Sequence, residues 1–189
     1  MITMRVCIFN LAVFCVLIIG PWTGTALSQT VNNIAPSESQ IDFSKSDIVV
    51  NKATIFRNKP TIFNKDDGIV NHAIYFDFGS IVFVRSDRGF DPEVMGKNDF
   101  HSQVQSIYGT KSKIIEDYQL TKSKHGKLAY MIIHDNALDG LCFEFIVLNG
   151  RLFNATKNLL MGVFCSISET PEDLKQRALR QLDLIELKS

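Results

Sequence analysis

Four residues in one short stretch have the chemistry of a reactive site: His134 and Asp135, then Asp139 and Glu144. An imidazole beside carboxylates can serve as a general base or hold a metal. Spacing weakens the cluster, because adjacent residues on a strand point to opposite faces and His134 and Asp135 need not meet. The plainer reading is a strand that ends in a polar turn, with Asp135 and Asn136 bonding nearby backbone. Glu144 differs in that it lies inside the apolar run Cys142–Leu148 (CFEFIVL), where a carboxylate is costly to bury without a partner. Arg85, Lys127 and Arg151 are candidate partners, and a solvent-facing position on an edge strand is the simpler placement. His134, Asp139 and Glu144 are therefore the catalytic candidates.

Other motifs fail on order or spacing. His72, His101 and His125 are isolated and read as surface residues. No His-Glu-x-x-His pair and no Gly-x-Ser-x-Gly elbow is present. Gly109-Thr110-Lys111-Ser112 lacks the order of a phosphate loop and follows a helix instead of opening one. Asp66-Asp67-Gly68 fails as a calcium loop, since Phe63 and Lys65 would occupy its first and third positions. No cofactor and no metal site is expected. Asn154-Ala155-Thr156 fits the N-glycosylation pattern, which has meaning only in a eukaryotic secretory pathway.

The N-terminus has the form of an export signal. Arg5 precedes an apolar run, Val6–Gly20, and small residues follow through Ser28. Ala26 and Ser28 suit a cut before Gln29, and Gly24 and Ala26 suit one before Leu27; the first is preferred. A retained membrane anchor is the rival reading, but about 20 apolar residues are wanted for a span. Cleavage removes Arg5 from 20 basic residues and leaves 19 against 20 acidic ones. That balance argues against nucleic acid or an anionic membrane held by bulk charge. Cys7 and Cys15 leave with the signal. Cys142 and Cys165 remain, and in an oxidising compartment they are expected to form a disulfide.

Residues 29–47 are rich in Ser, Asn and Gln and read as a flexible leader. Residues 48–189 read as a single α+β domain. Ile48, Val50, Thr54 and Phe56 share one face of a first strand, and Lys59-Pro60 breaks it. The block 69–85 divides at Gly79-Ser80. Asp91-Pro92-Glu93 can begin a short helical turn. Asn98 or Asp99 can cap a better helix carrying Phe100, Val104 and Ile107, which Gly109 ends. Strands follow at 113–121, 127–134 and 141–148, the last covered on both faces. Asn149-Gly150 is a hairpin signal. A longer loop instead pairs Leu148 with Leu159 and Cys142 with Cys165, and this register is preferred. It makes the 149–158 connection the candidate for presenting a binding surface. Thr170-Pro171-Glu172-Asp173 opens a closing helix with Leu174, Ala178, Leu182 and Ile185 on one stripe.

The order is β-β-β-α-β-β-β-β-α, an antiparallel sheet with an internal helix and a C-terminal amphipathic helix packed on it. This order, with its capped helix after the first strands and its closing Thr-Pro-Glu-Asp helix, resembles the Mog1/PsbP-like α+β sandwich over about Ile48 to Leu187. The resemblance implies accessory or binding roles rather than an activity. Two function classes stand. The first is a small exported protein, periplasmic or secreted, that binds another protein or an envelope component without catalysis, such as an inhibitor or a complex subunit. It would take no nucleic acid and would not stay in the membrane after cleavage. The alternative is a hydrolase or metal-dependent enzyme using His134 with nearby carboxylates.

Overall fold

A computed structural model describes residues 29–58, 70–90, 96–109, 112–149 and 156–188. Residues 1–28, read from the sequence as an export signal, therefore lie outside the described residues. So do Lys59-Pro60, Asp66-Asp67-Gly68, Asp91-Pro92-Glu93 and the tip of the 149–158 connection with Asn154.

In chain order the elements are β1 (Gln29–Ile34), a 3-10 turn (Pro36–Glu38), β2 (Ile41–Asp42), β3 (Val50–Asn58), β4 (Val70–Phe76) and β5 (Gly79–Phe90). Helix α1 (Lys97–Tyr108) follows, then β6 (Lys113–Ser123), β7 (Gly126–Asp135), β8 (Gly140–Asn149), β9 (Thr156–Ser166), α2 (Pro171–Leu184) and β10 (Glu186–Leu187). Eight strands form one antiparallel sheet ordered β1-β3-β4-β5-β9-β8-β7-β6. Two runs of neighbouring strands, β3-β4-β5 and β6-β7-β8-β9, meet where β5 pairs with β9. The fold is α+β, dominated by the sheet and carrying two helices.

Alternation along the strands builds two apolar layers. Phe143, Phe145 and Val147 of β8 face α2, with Leu174, Ala178, Leu182 and Ile185 packed on them. Cys142, Ile146 and Leu148 face the other way, toward Phe100 and Val104 of α1. Rings cross the α2 face in a chain. Phe76 meets Phe164 at 5.4 Å between centroids, Phe164 meets Phe145 at 5.7 Å, and Tyr130 stacks on Phe143 at 4.9 Å. Gly162 makes room for this chain: a Cβ there would lie 3.0 Å from Phe145 Cζ and 2.3 Å from the Ser80 carbonyl.

α2 begins as its sequence reads. The Thr170 Oγ1 accepts from the Asp173 backbone N–H at 3.2 Å, and Pro171 opens the first turn. Its far end is held from the β6–β7 turn. His125 Nε2 lies 3.0 Å from the Leu182 carbonyl and 2.9 Å from the Ile185 carbonyl, and Lys124 Nζ reaches the Asp183 carbonyl at 3.0 Å. His125 is therefore buried, not at the surface as its place in a turn implies. Burial pushes its pKa below the usual imidazole range, against the two carbonyls that favour its charge.

Three further expectations change. Residues 29–47 do not form a free leader. β1 pairs with β3, β2 pairs with β10, and Ile41 and Phe43 enter the α2-side core. Polar composition misled because an edge strand needs backbone bonds more than apolar side chains. In β3 the face pattern breaks at an irregularity between Val50 and Lys52, so Val50 packs with Ala53 toward α2 while buried Thr54 points to the other side. Helix α1 starts at Lys97, two residues earlier than a cap at Asn98 would give, with Gly96 in the cap position and no side-chain cap bond; neither Asn98 nor Asp99 caps it. Gly109 ends it as expected, at φ 65°.

Leu182, on the sheet-facing side of α2, is fully buried. Leu182→Ala is expected to cost about 2–5 kcal/mol in chemical denaturation. A loss below about 0.5 kcal/mol would show that the helix is not docked through this stripe.

Candidate functional site

The β8–β9 register pairs Leu148 with Leu159 and Cys142 with Cys165, the arrangement expected from the longer loop. The two cysteines are joined, Sγ to Sγ at 2.10 Å, with Cα atoms 4.0 Å apart. The Cys165 backbone N–H goes to the Phe78 carbonyl on the β5 side at 2.7 Å, and its carbonyl accepts from Arg177 at 3.1 Å. Both backbone groups point away from β8, so the cysteines form a non-hydrogen-bonded pair, whose side chains approach most closely. Arg177 is itself held by Glu169, whose carboxyl it keeps below the usual range.

The three catalytic candidates separate. His134 and Asp139 come together at the β7–β8 turn, His134 Nε2 to the Asp139 carboxylate at 3.5 Å, and His134 Nδ1 lies 3.1 Å from Asn136 Oδ1. Asp139 has φ 49° and a side chain 97% exposed. A carboxylate so wet orients an imidazole weakly. Glu144 lies on the other face, where β7 presents Met131, Ile133 and Asp135. His134 and Glu144 are divided by the sheet and cannot act on one substrate atom. Asp135 turns inward, as alternation requires, and accepts from the Ala137 N–H at 2.9 Å.

Glu144 is only 2% exposed, in the middle of the sheet, not on an edge strand. None of Arg85, Lys127 and Arg151 is its partner among the described contacts: Arg85 and Lys127 are exposed, and Arg151 lies outside the described residues. Instead the Tyr108 hydroxyl, from the last turn of α1, donates to Glu144 Oε1. Burial pushes the Glu144 carboxyl up to about 8. The tyrosine hydroxyl opposes this rise and the Asp135 carboxylate adds to it. At neutral pH Glu144 is therefore mainly a neutral acid, which is how an unpaired carboxyl is tolerated in an apolar layer. Sequence showed that Glu144 was out of place but not what met it, because Tyr108 is 36 residues away.

The remaining histidines also have places. His72 is buried, its Nδ1 3.4 Å from the Gln40 N–H, so it is not a surface residue. His101 and Lys97 on α1 both reach Asp117 of β6, at 2.6 Å and 2.5 Å. Lys97, the Tyr118 N–H and His101 together draw the Asp117 carboxyl down to about 2. No group of three His, Cys, Asp or Glu side chains able to hold a metal occurs among the described residues. No helix among them is long and apolar enough to cross a membrane.

One feature escaped the sequence reading. The β4–β5 turn is Asp77-Phe78, and Phe78 sits at φ 57° with 52% of its surface exposed. A bulky residue rarely adopts that conformation. It is fixed from both sides: Asn51 Nδ2 donates to Asp77 at 2.7 Å, and the Phe78 carbonyl accepts from Cys165. Strand register places exposed Val49 and Ile167 at this same end of the sheet. The signal available in sequence was Asp-Phe-Gly between two strand-like runs, an ordinary turn pattern with an aromatic in it. No family model, no curated protein and no solved structure matches this chain.

Because the folded state favours protonated Glu144, its contribution to stability is full below about pH 4.5 and is lost as pH rises toward about 8. Glu144→Gln keeps an acceptor for Tyr108 and removes the ionisation. Relative to wild type, the variant is expected to gain about 2–3 kcal/mol between pH 5 and pH 7. A stability difference that stays constant over this range would show that Glu144 is not a buried acid.

Proposed function

We propose that the chain is exported and acts as a small binding or accessory protein, with its recognition surface at the disulfide end of the sheet. The observation that carries this reading is Phe78: an exposed aromatic, held in a costly backbone conformation and anchored to the disulfide strand. Backbone strain retained at an exposed aromatic tip is a reason to look for function there. Val49 and Ile167 extend the apolar character of that end. Aromatic anchors with apolar neighbours are what protein interfaces use at their centres.

Export rests on the signal-like N-terminus together with the joined Cys142 and Cys165, which fit an oxidising compartment, periplasmic or extracellular. The resemblance of the element order read from the sequence to the Mog1/PsbP-like sandwich favours the same reading, toward accessory roles. An enzyme built on His134, Asp139 and Glu144 has less support, since the sheet separates the first two from the third.

The test is capture of partners from the native envelope or secretome by the mature protein and by its Phe78→Asp variant. A partner retained by the wild type is expected to fall at least tenfold with Phe78→Asp while the thermal midpoint changes little. Equal retention by both proteins would remove Phe78 from the recognition surface.

A further inference from the structure

The two helices are attached in different ways. α2 buries Leu174, Ala178, Gln181 and Leu182 and is gripped at both ends. α1 buries Phe100 and Val104. Its N-terminal half is tied to β6 by the edge-on contact of Phe100 with Tyr118, at 6.0 Å, and by the pairs of Lys97 and His101 with Asp117. Its last turn reaches into the sheet through Tyr108, whose hydroxyl donates to Glu144. Gly109 follows directly, at a positive φ of 65° that favours glycine.

The surroundings of Glu144 suit a neutral acid and not a carboxylate. Across the strands it faces Met131 and Val163, and along β8 its neighbours on the same face are Cys142 and Ile146. Cys142 is in the disulfide and does not titrate. From α1 comes the Tyr108 hydroxyl, and from β7 the Asp135 carboxylate, which repels a second negative charge. The charged groups that face α1 from β6, Asp117 and its partners, sit at the opposite end of the helix. Among the described residues the groups that act on the Glu144 charge are the Tyr108 hydroxyl and the Asp135 carboxylate, neither of them a cation. Once the proton leaves, one hydroxyl must satisfy a full charge in an apolar layer. Raising the element that keeps water out is the smallest movement that relieves this.

We propose that α1 is a pH-gated cover, whose C-terminal half lifts from the sheet when Glu144 loses its proton. The Phe100 end stays anchored, and Gly109 absorbs the change in backbone direction. Lifting bares part of the apolar layer that Phe100 and Val104 close on this face of the sheet, beside the disulfide.

Amide hydrogen exchange on the folded mature protein, corrected for intrinsic rates, tests this at pH 6 and pH 9. Residues 104–108 are expected to lose at least tenfold in protection at the higher pH, while β7, β8 and β9 keep theirs. In Glu144→Gln the helix should stay protected at both values. A second readout needs no variant: the carboxyl carbon resonance of Glu144 in the wild type should titrate with the same midpoint as the loss of protection. Unchanged protection, equal loss in Glu144→Gln, parallel loss across the sheet, or a midpoint that differs from the carboxyl titration would each overturn the proposal.

Discussion

The pairing of β8 with β9 is the constraint from which the rest of the structure follows. β8 carries β7 and β6 on its far side, and β9 carries β5, β4, β3 and β1 on its own. Both central strands are buried on both faces, so their side chains supply each apolar layer in alternation. A slip of one residue would turn the side chains of one strand over relative to the other. It would part Phe164 from the Phe143 and Phe145 rings and Cys165 from Cys142. The Cys142–Cys165 link and the close approach at Gly162, opposite Phe145 and Ile81, both pin this register.

That register also sets the polar chemistry. With Cys142 turned toward α1, Glu144 must turn the same way, and so must Asp135 across the next strand. His134 goes to the other side. The cluster that looked reactive in the sequence is thus divided by the alternation that builds the core. What remains is a neutral buried acid under a helix on one face and a wet His–Asp contact at a turn on the other. At the edge between them, the disulfide strand holds Phe78 in place through one backbone hydrogen bond.

Local signals were legible in the sequence where they coincided with the physical cause. Thr170-Pro171 and the 174/178/182 stripe read directly as α2, since cap, dipole and periodicity agree, while Ile185 packs on the same core from the extended cap position just past the helix end. The β8–β9 register was legible because two cysteines happened to mark it. Three things were not legible, each for a reason of distance or context. The β1 and β2 strands depend on backbone partners at β3 and β10, and their polar side chains conceal this. The irregularity after Val50 shifts a face pattern without leaving a glycine or proline to announce it. The burial of His72 and His125 comes from partners 32 and 57 residues away.

The central claim is that an exported chain is organised around a β8–β9 pair locked at Cys142 and Cys165. Non-reducing peptide mapping of protein recovered from its native compartment addresses it most directly. The account predicts a mature chain beginning near Gln29 and one cross-linked pair of peptides, one containing Cys142 and the other Cys165. Two free thiols, or an intact Met1 in the membrane fraction, would contradict it.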